Sequence, residues 1–205
     1  MMHVWKDLDA TVNGRLAAAS EGERAVFAAG VAERLHQAHE ALPAAARREY
    51  TVGLRPLLDA VWDGALGQGA AFDTVKRGLG AHYLSDYFHN RGDGGPDDAD
   101  EPAAAAVLHA AEAYLHGCAD FAVRAGGRAV EAAHRAAYGS AAADGFADDP
   151  DEIVAEELRR QLRDLDLIAR HAPTLRRARF GLAHATTAHL HPTLRVPLSR
   201  RDDLP

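Results

Sequence analysis

The sequence predicts an all-α fold, a single compact bundle of about seven helices with an irregular C-terminal tail. Three observations carry this expectation. Apolar residues recur at steps of three and four along most of the 205 residues, the period that lines one face of a helix. Alternation of the strand type is missing throughout. Alanine is abundant and aromatic residues make up only 6%, a composition that suits closely packed helices better than a β-sandwich.

Trp5, Leu8, Val12 and Leu16 mark a first amphipathic helix. Ser20-Glu21-Gly22-Glu23 reads as a capping box, in which Ser and Glu side chains serve free amides at the start of the next helix. That helix carries Phe27, Val31, Leu35, Ala38 and Leu42 as a stripe and ends before Pro43. The stretch from Glu49 to Leu66 holds the densest apolar run and is expected to organise the bundle. Leu54, Leu58, Val61, Trp62 and Ala65 share one face there, with Asp59 and Asp63 opposite. Pro56 forbids an undisturbed helix interior, so the helix starts near Arg55 or kinks there. Gly64, Gly67 and Gly69 supply its stop.

A fourth helix is expected over 72–88, with Val75, Leu79, Tyr83 and Tyr87 inward. Residues 90–102 are Gly, Pro and Asp without an apolar anchor and read as an exposed loop. Pro102 suits the first turn of another helix, which carries Val107, Leu108, Leu115 and Phe121, with Gly117 and Gly126-Gly127 as breaks. Val130, Ala133, Ala137 and Tyr138 form a further helix ending at Gly139, followed by a second loop over 139–150. Asp148, Asp149 and Pro150 then open a last long helix, with acids at its positive dipole end. Its stripe is Ile153, Val154, Leu158, Leu162, Leu165 and Ile168. The helical domain is thus placed at 1–172, and 173–205 is an Arg-, His- and Pro-containing tail, either disordered in part or lying along the bundle.

The bulk numbers bound the function. An apolar content of 47% with 26% charged residues is ordinary for a soluble globular chain. A net charge of -7 disfavours general nucleic-acid binding. Arg170, Arg176, Arg177 and Arg179 are the residues that could still contact a phosphate backbone. One cysteine, Cys118, excludes an internal disulfide and a Cys-based zinc site. It is expected to be a buried, inert thiol. The start lacks the basic-then-apolar pattern of a signal peptide, and no apolar run reaches the ~20 residues needed to span a bilayer. A cytoplasmic location is the expectation.

Several segments together resemble the YjaG-like family of small bacterial helical proteins of unknown function. They are Val26-Phe27-Ala28 with Glu33-Arg34, Leu57-Leu58-Asp59 with Trp62, the Ala-rich segment Ala103 to His116, Val130-Glu131, and Glu156 to Leu165. The similarity spans residues 16–172. At 38–41, where that family has a Pro-aromatic pair, this chain has none, and its His-rich tail has no counterpart there. The resemblance implies an all-α fold and brings no catalytic residues with it.

For chemistry, the sharpest pattern is a metal set. Glu33 and His36, Asp86 and His89, and Glu131 and His134 are carboxylate-x-x-His pairs, a spacing that puts both ligands on one helix face, as in di-iron bundles. His82 and Asp86 add an i, i+4 pair. Glu33, His36, His82, Asp86, Glu131 and His134 are therefore the candidate ligands for iron or zinc. With 12 His and 30 acidic residues, pairs of this spacing also arise by chance. The two missing glutamates of the di-iron pattern would be Glu112 and Glu157. The run AHYLSDYFHN, residues 81–90, is similar to helical zinc phosphoesterases, in which metal activates water, but the order of His36, His39, His109 and His116 does not match. No serine lies in G-x-S-x-G, and His116 and Cys118 at i, i+2 do not face each other on a helix. Phosphate-binding glycine motifs are missing too.

The reading is a non-catalytic protein-binding role, as an adaptor, an inhibitor or an immunity-type protein, with a protein partner or a second copy of the chain. Uneven charge supports it, since acidic stretches at 93–101 and 144–157 precede an Arg-rich 159–179 and such surfaces orient partners. The competing class is a metal-dependent helical enzyme built on the six candidate ligands.

Overall fold

The computed structural model describes residues 4–85, 102–144 and 149–200, with 137–144 by backbone alone. The chain is all-α, with no strand among the described residues. Its main helices are α1 (Val4–Ala18), α2 (Glu21–Glu40), α3 (Glu49–Gly53), α4 (Arg55–Ala65), α5 (Ala71–Tyr83), α6 (Pro102–His116), α7 (Ala119–Asp144) and α8 (Pro150–Ala169). Three short helices follow: α9 (Ala172–Leu175), α10 (His184–Leu190) and α11 (Val196–Ser199). The helices outnumber the seven expected, because the central stretch divides into α3 and α4 and because the stretch after Pro173, expected to be irregular, is helical in part.

The organising element is α2, not α4. Every residue of α2 from Ala25 to Arg34 is buried. It packs most extensively on α6 and also on α4, α7, α8 and α11. Alanines and glycine let these neighbours approach closely. A Cβ at Gly22 would overlap the Leu175 carbonyl oxygen, so only glycine admits the α9 backbone at that position. The capping box at its start is present. Ser20 N donates to Glu23 Oε2 at 2.9 Å, and Glu23 N approaches Ser20 Oγ at 3.5 Å.

The Pro56 expectation resolves as a start. The chain turns at Leu54 and α4 begins at Arg55, with Pro56 in its first turn, where a missing N–H costs nothing. Leu58, Val61 and Trp62 are fully buried, Leu54 and Ala65 nearly so. Gly117 does separate α6 from α7, but α7 runs straight through Gly126-Gly127 and past Gly139. A helix flanked on several sides tolerates the glycine penalty of about 1 kcal/mol per residue. The second expected loop is therefore shorter than 139–150, and 145–148 lie outside the described residues, as do 90–101 of the first.

One hydrophobic core runs from Val12 to Leu198. Leu175, Leu190, Leu194 and Leu198 of the last stretch are at most 1% exposed and belong to it. None of the described helices is long and apolar enough to cross a membrane.

Candidate functional site

Glu33, the first of the candidate ligands, sits in the core at 4% exposure. Both of its oxygens are in use. Trp62 Nε1 donates to Oε2 at 3.1 Å. Arg55 Nη1 donates to Oε1 at 2.7 Å, and Gln37 Nε2 donates to the same oxygen at 3.0 Å. Arg195 Nη2 lies 3.8 Å from Oε2 and donates to Asp59 Oδ1 at 2.5 Å, while Arg195 Cζ lies over the Trp62 ring at 5.7 Å from its centroid. A buried carboxylate is thus hydrogen-bonded and charge-paired, as burial demands.

Arg55 continues the network. Its Nε and Nη2 grip Glu40 at 3.1 and 2.8 Å, and Nη2 is also 2.9 Å from His36 Nδ1. A guanidinium only donates, so Nδ1 accepts and His36 Nε2–H donates to the Thr51 carbonyl at 2.9 Å. Burial pushes Glu40 up, but hydrogen bonds and charge from Arg55, the largest opposing causes, hold the carboxyl below its usual range. Burial pulls Arg55 down, and Glu40 and Glu33 more than restore it. These residues tie α2, α3, α4 and the segment before α11 together.

Glu33 and His36 do not fit an iron or zinc ion as they stand, because a guanidinium occupies the position that a cation needs. His82, at the end of α5, is buried at a distance from them in the chain, and burial lowers its pKa. Asp86 and His89 lie outside the described residues. On α7, Glu131 is held by Arg128 at 2.7 Å and Arg135 at 2.5 Å, and His134 is exposed. Among the described residues, no group of three or more His, Cys, Asp or Glu is placed to hold a metal. Of the further candidates, His39 Nε2 accepts from Arg48 N at 3.0 Å, and His109 Nδ1 lies 3.1 Å from Glu112 Oε2. Tyr83 donates to the other Glu112 oxygen at 2.6 Å. Burial pushes Glu112 up, but the His109 and Tyr83 hydrogen bonds bring it below the usual range. Cys118, expected inside, is exposed at the α6–α7 break.

A second polar cluster joins α2 to α8. Arg34 Nη1 donates to Asp164 Oδ2 at 2.6 Å and to the Leu198 carbonyl at 3.1 Å. Its Nη2 stays 3.7 Å from Glu157 Oε1, outside hydrogen-bonding distance. Gln161 Nε2 bridges Glu157 at 2.9 Å and the Gly126 carbonyl at 3.1 Å. Burial raises the pKa of both Asp164 and Glu157, and the arginine charges offset this only in part. A carboxyl with a raised folded pKa binds its proton more readily in the folded state. Its contribution is greatest below the ordinary carboxylate range and is lost as pH rises through the folded value. Urea midpoints at pH 5 and pH 7.5 check this. Asp164→Asn is expected to gain on the parent as pH rises, whereas a constant difference would deny the shift.

The open feature of the molecule lies elsewhere. The loop after α4 (66–70) and the turn at 178–182 meet through a hydrogen bond from Leu182 N to the Gly67 carbonyl at 2.8 Å. Gly181 has φ +84°, a left-handed conformation that favours glycine and lets the chain reverse into α10. Between this junction and α10 lies an open groove of about 570 Å³, lined by Asp63, Leu66, Gln68, Leu182, His184, Thr187 and His191 among others. This volume falls within the roughly 300–1,000 Å³ of ligand pockets. Gln68 Nε2 donates to Asp63 Oδ1 at 3.0 Å. Burial raises the Asp63 pKa, Arg195 opposes this, and Asp59 adds to it, leaving the carboxyl above its usual range.

Two exposed aromatic residues adjoin the groove lining in sequence. Phe180, adjacent to Gly181, is 87% exposed, and Phe72, two residues beyond Ala70, is 40% exposed. The Phe72 ring centroid is 6.2 Å from that of Tyr114. Nothing in the sequence marked this site. Asp63 reads as the polar face of α4, and its groove partners come from the segment about 120 residues later. Of the arginines that could contact a phosphate backbone, Arg179 pairs with Glu21, and Arg170, Arg176 and Arg177 are exposed. Comparison with known proteins returns no matching family model, no curated protein and no solved structure.

Proposed function

We propose that this chain is a non-catalytic protein-binding domain of the adaptor or inhibitor type. The observation that carries the reading is Phe180, a large aromatic side chain left 87% exposed next in sequence to Gly181, which lines an open groove. Exposed aromatic surface of this kind is a mark of protein contact, because Phe, Tyr and Trp supply much of the energy at interface centres. The interior adds support. Glu33, Arg34, His36 and Arg55 are spent on one another and on backbone carbonyls. They serve to hold helices together, which leaves recognition to the surface.

The test is photo-crosslinking in the source cell, with benzoylphenylalanine placed at residue 180 and, as control, at exposed residue 134. A discrete crosslinked species from position 180 and none from 134 supports the reading. Recovery of the free chain from both positions contradicts it.

A further inference from the structure

We infer that the groove between the 66–70 loop and α10 receives a lysine side chain from a partner protein, with apolar neighbours of that lysine resting on Phe180. The inference rests on the protein-binding reading and names the chemistry that the partner presents. Asp63 is the carboxylate in the lining. The chain as a whole carries -7, so the field favours a cation. Asp63 is partly buried, and burial together with the Asp59 charge leaves its own charge undersolvated despite the opposing charge of Arg195, a deficit that an incoming ammonium relieves.

The shape of the site selects between the two basic side chains. Arginine prefers a free carboxylate that it can grip with two parallel bonds. Gln68 already takes one lone pair of Asp63 Oδ1, so a compact ammonium asks less of the remaining carboxylate than a two-bond fork does. Leu66, Ala70, Leu182 and Pro192 form aliphatic walls suited to the methylene stem of lysine. A free alkylamine would share that chemistry but would make no use of Phe180 and Phe72 outside the groove. The exposed rings extend recognition to the residues beside the lysine, which assigns the site to a protein segment.

Amide NMR titration of the full chain tests this with three probes: the peptide Ac-Gly-Leu-Lys-Leu-Gly-NH2, the same peptide with norleucine for lysine, and n-butylamine. The lysine peptide is expected to shift the amides of Gly67, Gln68, Gly69, Gly181 and Leu182 saturably. A charge-assisted hydrogen bond makes the norleucine peptide about tenfold weaker or worse. Asp63→Asn keeps the Gln68 contact and the fold, and is expected to reduce the lysine peptide to the norleucine level. Phe180→Ala is expected to weaken the lysine peptide several-fold and leave n-butylamine unchanged.

Equal affinity of the lysine and norleucine peptides overturns the inference, as do shifts confined to another surface. Binding of n-butylamine as tight as that of the lysine peptide overturns the assignment to a protein segment. Failure here is separable from failure of the protein-binding reading. A partner crosslinked at position 180 with no lysine preference in the groove removes the lysine and keeps the binding role. Lysine-specific binding with no crosslinked partner does the reverse.

Discussion

Glu33→Ala is expected to lower the unfolding free energy by about 3–5 kcal/mol, the range for breaking a buried ion pair by removing one partner. The loss comes from what remains. Without the carboxylate, Trp62 Nε1 stays buried without its acceptor, and the Arg55 and Arg195 guanidinium groups lose the charge between them. Glu33→Gln retains an acceptor for the indole and is expected to fall between the parent and the alanine variant. Urea unfolding at neutral pH checks both. A cycle with Trp62→Phe is expected to show coupling of about 0.5–3 kcal/mol, as for directly bonded side chains. The solvated pair Glu152–Arg159 gives the contrast, since Glu152→Ala is expected to have a far smaller effect. A loss at Glu33 no larger than at Glu152 would mean that the core network adds nothing.

Leu194→Ala is expected to cost about 2–5 kcal/mol, the cost of deleting a fully buried leucine side chain. Were the segment after Pro173 merely laid along the surface, the same change would fall within about 0.5 kcal/mol. Val196→Ala, two residues away and 41% exposed, is the internal control and is expected to have a small effect. The difference between these two substitutions reads out directly whether the last helices are part of the core. Leu190 and Leu198 flank Leu194 in the same cluster, so the effect reports on a packed face rather than on one contact.

The helices themselves were legible because their signals are local. Ser20 and Glu23 cap α2 as their spacing implies, Pro56 sits in the first turn of α4, and the stripe from Val154 to Ile168 faces the core on α8. The centre of the molecule was not legible. The α4 stretch looks central because its apolar residues are large and confined to one face. The true centre, α2, is buried on most sides, so its pattern lacks a polar face, and it also carries Glu33, Arg34 and His36 inside. Those charges are tolerable only because partners arrive from α4, α8 and the segment before α11. Arg55 lies 22 positions from Glu33, and Asp164 lies 130 positions from Arg34. Such pairings leave no trace in local spacing.

The same reasoning explains the metal pattern. Glu33 and His36 do share a helix face, as their i, i+3 spacing requires, but what meets that face is the Arg55 side chain. The tail was unreadable for a related reason. Its leucines are separated by His, Pro and Arg, and the stripe of Leu190, Leu194 and Leu198 runs across α10, the wide turn at 191–195 and α11. Asp63 and His184 come together in the groove only once that tail has docked.

Glu33, His36, Arg55 and Trp62 form a buried polar network in which side chains, not a metal, satisfy the carboxylate. Trp62 reports on that interior directly, since its indole N–H is bonded to Glu33 and its side chain is fully buried. The chain has two tryptophans, so a Trp5→Phe variant isolates the Trp62 signal. Zinc(II) and iron(II) are titrated into this variant while its fluorescence is followed. The account predicts a blue-shifted emission that stays unchanged up to millimolar metal. Saturable quenching at low metal concentration, abolished by His36→Asn, would contradict it.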